Sequence, residues 1–142
     1  MADWQQTFIP LADLPPPFEP TDRQRGWAMD GADHGLEAAS VLVMEIAPGA
    51  GPPLHRHASE EVQVLPDDAR VKYAVGEERF TAEGPGVVCI PASLPHALAG
   101  AGDAPARVTA FFPDVHHGAH SETLGPNPFS DTWSVSNDVC LN

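Results

Sequence analysis

Proline and glycine set the terms on which this chain can fold. Sixteen prolines and twelve glycines interrupt it too often for long helices. What lies between them is short, alternating and rich in Val, Ile, Phe and Thr, the pattern of many short strands. Such stretches stand at 39–47 (ASVLVMEIA), 61–65 (EVQVL), 70–75 (RVKYAV), 79–82 (RFTA), 87–91 (VVCIP), 96–99 (HALA) and 106–112 (ARVTAFF). The separators PGAGPP, PDD, GEE, EGPG and AGAGD are turn chemistry. Short strands with turns at this spacing predict an all-β antiparallel sandwich or barrel, and one domain accounts for residues 37–113.

The flanks read differently. Residues 1–36 form an N-terminal extension in which LPPPFEP (14–20) runs extended across the surface, while WQQTFIPL and RGWAM each offer a strand to a sheet edge. Residues 114–142 are a polar, turn-rich tail. It either packs back on the barrel through Phe129 and Trp133 or mediates contacts between copies of the chain.

A hydrophobic content of 42 % over 142 residues suits one packed core. Seven basic against twenty acidic residues give a formal net charge of −13, which argues against nucleic acid and anionic membrane surfaces as partners. No apolar run approaches the roughly 20 residues of a membrane helix. The opening MADWQQTFIPLADLPPP has no basic region leading into an apolar stretch, so the expected location is the cytoplasm. Cys89 and Cys140 have no metal-type spacing; they are expected as free thiols, Cys89 buried in its apolar run and Cys140 frayed, without a disulfide.

The seven histidines equal the whole Lys plus Arg count, so their positions carry weight. In GPPLHRHASEEVQVL (51–65), His55, His57 and Glu61 share parity and face one side if the backbone stays extended. Two imidazoles and a carboxylate on one face suit a divalent first-row metal. A fourth donor must come from elsewhere, and the candidate is His96 in IPASLPHALAG. Glu60 is the rival carboxylate, disfavoured by parity. A His-x-His pair on an exposed strand is more often solvated, and spacing alone leaves the two readings open.

The stretch resembles the first motif of the cupin superfamily, G-x5-H-x-H-x3–4-E-x6-G, through Gly49, His55, His57 and Glu61, with Asp68 at the final Gly. Pro91, Ala92, Ser93, Leu94, Pro95 and His96 are similar to the centre of the second motif, G-x5-P-x-G-x2-H-x3-N. There Ser93 replaces Gly, Gly100 replaces Asn, and the leading Gly fits only with a one-residue slip through Gly84 or Gly86. The resemblance covers roughly residues 38–113. It implies a double-stranded β-helix, or jelly-roll barrel, holding a metal inside on His55, His57, Glu61 and His96. It also implies a homodimer.

Such a site implies a metal-dependent enzyme acting on a small organic substrate. A non-haem dioxygenase with Fe(II) is the first reading, with Mn, Ni, Zn or Cu as other occupants. Redox-neutral isomerase or lyase chemistry is the second, and a small-molecule binding or sensing module without turnover the third. Glu61 could bind the metal or accept the substrate's proton. Gln63 shares its parity, so it either orients a substrate from inside the barrel or is a satisfied core glutamine. Tyr73 and Arg107 lie on predicted strands of unassigned face; an inward Arg107 would suit a carboxylate substrate. One of Phe111 and Phe112 belongs to the core. His116, His117 and His120 in VHHGAH form either an exposed polar loop, the preferred reading, or a lid over the mouth. Trp4, Trp27 and Trp133 lie outside the motifs and are expected to seal a dimer or the barrel's underside.

Overall fold

The computed structural model describes residues 7–118 and 120–129. The expectations for Trp4, Trp133 and Cys140 lie outside the described residues, as does the tail beyond Phe129. Among the described residues the strands are β1 Gln24–Met29, β2 Ser40–Ile46, β3 Leu54–Arg56, β4 Glu61–Leu65, β5 Arg70–Val75, β6 Glu78–Glu83, β7 Gly86–Ile90, β8 His96–Gly100, β9 Ala106–Phe112 and β10 Glu122–Gly125. Among these residues helical backbone is confined to 3-10 turns at Leu11–Asp13 and Gly31–His34, and no helix of the described residues is long and apolar enough to cross a membrane.

Two five-stranded antiparallel sheets, ordered β1-β2-β9-β4-β7 and β10-β3-β8-β5-β6, enclose the core in a jelly roll. Strict alternation of buried and outward positions in β2, β4 and β9 turns one face of the first sheet inward. Met44, Ile46, Val71, Ile90, Leu98 and Val108 from both sheets meet there. Each such side chain contributes roughly 1.5–3 kcal/mol on leaving water. Strand β8, in the middle of the second sheet, is buried throughout. Its last residue, Gly100, exchanges backbone hydrogen bonds with Gly49 and Ala50. A Cβ on Gly100 would lie 2.4 Å from the Ala47 carbonyl oxygen, so the motif's Asn has no room here.

The flanks depart from expectation in informative ways. RGWAM does become an edge strand, β1, in full register with β2. The described part of WQQTFIPL forms no strand. The proline-rich stretch does not simply cross the surface. Ala28 donates its backbone N–H to Pro15, and Pro17 sits where a Cβ on Gly26 would come within 3.1 Å of it. That contact folds the stretch inward and carries Pro17 and Phe18 to the wall of the barrel's cavity. In the tail, β10 pairs with β3, a strand without an alternating signal in ETLG.

Cys89 is free but exposed, because alternation in β7 turns it away from the core occupied by Val88 and Ile90. Arg107 also faces out, paired with Glu45 and lying over the Trp27 ring beside Arg25. Of the phenylalanine pair, Phe112 is core and Phe111 exposed. Among the described non-glycine residues, only Ser93 and His120 have positive φ. Asp68 therefore needs no left-handed conformation, whereas Ser93, at φ 64°, occupies the backbone region for which the family's motif uses Gly.

Candidate metal centre

The site joins the two sheets. His55 in β3 stands directly opposite His96 in β8, so the strand register itself brings the two motifs together. His57 follows β3, and its carbonyl accepts the backbone N–H of Ser93 from the second motif's turn. Glu61 and Gln63 enter from β4 on the other sheet with their side chains inward. Glu60 is exposed, as the parity argument required.

Each imidazole is anchored through Nδ1 to a backbone carbonyl two residues away: His55 to Pro53 at 2.8 Å, His57 to Ser59 at 2.9 Å and His96 to Leu94 at 2.8 Å. A carbonyl can only accept, so all three Nδ1 atoms carry a proton, and in its neutral form each ring presents a lone pair at Nε2. One ligand atom from each of the three rings lies within 4.8 Å of the others. Nε2 of His96 is buried without a hydrogen-bond partner. Glu61 Oε1 lies 2.9 Å from His57 Nε2 and 3.3 Å from His96 Nε2.

These observations test the fit of a divalent ion. A carboxylate oxygen and an Nε2 lone pair cannot share a 2.9 Å contact unless a proton or a cation lies with them. Two donors each about 2.1 Å from one first-row ion sit about 3 Å apart when adjacent in its coordination sphere. The donor chemistry, the orphaned nitrogen and the spacing all fit. The three histidines form a group able to hold a divalent metal, with Glu61 beside it.

The same geometry sets the protonation states. Burial pushes His55 down to about 4, reinforced by His96 nearby. For His57, burial alone would lower the pKa, but the hydrogen bond and charge of Glu61 outweigh it and raise it. Burial would raise Glu61, yet His57, His96 and Gln63 hold its carboxyl far below the usual carboxylate range. Gln63 donates its amide to Glu61 Oε2 at 2.6 Å and accepts the Tyr73 hydroxyl at 2.6 Å. The tyrosine thus fixes which way the amide points, and burial keeps Tyr73 neutral by raising its pKa. Gln63 is neither idle nor free to turn toward a substrate: both amide ends are committed. Tyr73, whose face the sequence left unassigned, completes the row.

Above the cluster a cavity of about 370 Å3 opens, walled by Phe18, Leu42, Met44, Pro52, Leu98 and Phe112. Its rim includes His117, Gly118, His120 and Ser121, so part of VHHGAH lines the mouth while His116 stays outside, its side chain 60 % exposed. The segment is exposed at His116 and His120, as an exposed polar loop would be, and departs from that reading in the inward placement of His117. Its cause is a set of hydrogen bonds to the turn after β1: Ala32 N–H to Val115 O, and the Asp30 carboxylate to His116 and His117. Two polar residues escaped sequence reasoning altogether. Asp30 gave no local signal, and Asn127 is buried in the tail, donating to the carbonyls of Pro52 and Leu98.

The chain belongs to the cupin family: the cupin-domain family model matches residues 42–112, half its length. Among solved structures, the Lactobacillus farciminis oxalate decarboxylase formate complex superposes with a TM-score of 0.69 at 23 % identity, covering 80 % of this chain and 34 % of that one. Bacillus subtilis oxalate decarboxylase at pH 4.6 gives 0.68 at 20 % identity, covering 80 % and 30 %. A further structure of that enzyme, from work on its Mn(II) centres, gives 0.70 at 19 % identity, covering 80 % and 31 %. The chain therefore spans about a third of the length of these decarboxylases, and the likeness is one of fold. No curated protein matches it by sequence.

Proposed function

We propose that this cupin is a metal-dependent dioxygenase for a small, uncharged organic substrate with an apolar body and an ionisable hydroxyl or enol, such as a 1,3-diketone or a catechol. One observation carries the reading: among the described residues no Lys or Arg lines the cavity, and between its polar rim and the histidine cluster its walls are apolar. A dicarboxylate placed there would lose its hydration without gaining a cationic partner from the protein. An uncharged ring or alkyl chain would instead bury its surface against Phe18, Leu42 and Phe112. His55, His57, His96 and Glu61 would hold the metal, with Fe(II) suited to the oxygenase reading. When bound, such an ion supplies a Lewis acid and a place for dioxygen and substrate to meet. His57, His96 and Gln63 keep Glu61 ionised, and Gln63, itself held by Tyr73, orients it. The apolar walls exclude water.

A redox-neutral lyase or isomerase is the second reading, supported by the fold likeness to oxalate decarboxylases and by the Mn(II) centres of one of them. Elemental analysis of protein purified without chelator, beside a His55→Ala/His57→Ala double variant, is the first test. Near one divalent metal per chain, lost in the variant, is expected. Oxygen uptake with diketones or catechols and no carbon dioxide from oxalate would support the first reading; carbon dioxide release without oxygen uptake would replace it with the second. The homodimer belongs to the same proposal. The exposed apolar face made by Val62, Val64, Val87 and Phe111 supports it, and sedimentation of the protein as a monomer would remove it.

A further inference from the structure

A substrate that reacts as its anion must first lose a proton, and the groups around the histidine cluster are poorly placed to take it. His55, His57 and His96 spend Nδ1 on backbone carbonyls and turn their remaining nitrogens to the common centre. Glu61 has one oxygen facing two of those rings and the other accepting from Gln63. Both oxygens of Glu61 thus already have partners within the cluster.

Among the described residues lining the cavity, His117 is the imidazole outside the cluster that is held by a carboxylate. Its Nδ1 lies 2.6 Å from Asp30 Oδ1, and its backbone N–H donates to the same oxygen at 3.0 Å. The ring is 25 % exposed and meets the edge of Phe112, whose other neighbour is His57. Phe112 therefore separates it from the metal-type cluster while both face one cavity. A carboxylate can only accept, so Nδ1 carries a proton, and in the neutral form of the ring Nε2 carries the lone pair. Such a carboxylate also stabilises the imidazolium that forms when Nε2 takes a proton.

We propose that His117, oriented by Asp30, is the general base that removes the hydroxyl or enol proton of the substrate as it enters the cavity. This rests on the substrate class given above. In the step, the substrate O–H bond breaks, its electron pair stays on oxygen, and the proton bonds to Nε2 of His117. The resulting oxyanion is the form that a cation at the histidine cluster attracts. Asp30 is a positioning residue and does not touch the substrate. The contacts around His117 place these ionisable groups near it: Asp30 beyond β1, His116 and Asp114 in its own turn, His120 on the same rim, and His57 with Glu61 across Phe112.

The test uses zinc-loaded protein and 4-nitrocatechol, a probe whose absorption reports its own ionisation. His117→Asn keeps a donor for Asp30 but lacks the basic nitrogen, and Asp30→Asn keeps an acceptor but lacks the charge. Wild-type protein is expected to bind the probe as its anion below the pH at which the free probe ionises. There His117→Asn should weaken binding about tenfold, and Asp30→Asn less; above that pH all three affinities should converge, as expected when solution has already removed the proton. A loss in His117→Asn that is equal at every pH would mark the residue as structural and overturn the proposal, as would no loss at all. If wild-type protein retains zinc but does not bind the probe, the substrate class falls as well.

Discussion

At the scale of single residues, the site depends on small groups whose partners are fully committed. Tyr73→Phe removes one hydroxyl and leaves Gln63 Oε1 buried without its donor. The expected cost is about 1–3 kcal/mol of stability, read by denaturant unfolding. A parallel fall in metal retention should follow, because the amide can then turn away from Glu61. Ser93→Gly should act in the opposite sense. It relieves a side chain at φ 64° and should raise stability by about 1 kcal/mol without changing metal content. The acid response follows from His55. Its folded pKa, about 4, lies below its unfolded value of about 6.5. The unfolded chain therefore binds more protons between those values, and the His55 contribution, complete above pH 6.5, is lost as pH falls toward 4. His57 has the opposite sign, its contribution being present below pH 6.5 and lost as pH rises through its raised folded pKa. The two separate by comparison with His55→Asn: between pH 7 and 5 the metal-free wild type should lose about 2 kcal/mol more than the variant.

At the scale of elements, what the sequence made legible and what it hid divide along a physical line. Strands β2, β4, β5, β8 and β9 announce themselves, because each has one face committed to the core and alternates or runs apolar accordingly. Parity alone separated Glu61 from Glu60, and motif spacing brought His96 to His55. Strand β10 was invisible, since its four residues bury no alternating face. Cys89 was misread because a run of apolar residues in a half-buried strand looks like a core run from the sequence alone. The proline-rich stretch and the VHHGAH segment were hidden for another reason: their positions are set by distant hydrogen bonds, from Ala28 to Pro15 and from His117 to Asp30. Those two elements form the mouth, so Phe18→Ala should alter substrate selection, raising KM for a bulky apolar substrate while leaving metal content unchanged. Loss of metal in that variant would mean the stretch supports the cluster itself.

At the scale of the whole molecule, the cluster ties the two sheets of the jelly roll together, since His55 and His96 stand on one and Glu61 on the other. An ion held by all of them stabilises only the closed barrel. Loading with a divalent metal should therefore raise the thermal midpoint, and chelation should lower it; His96→Ala should abolish the difference without unfolding the barrel. The anchoring of the three rings has a consequence for how such a protein can change. Each imidazole takes its bearing from a carbonyl only two residues away, so the reactive floor is specified within short stretches of chain. The rim comes from the beginning and end of the sequence. Substitutions there can reshape what the cavity admits while the histidine floor stays as it is, so the opening and the metal-type cluster can vary independently.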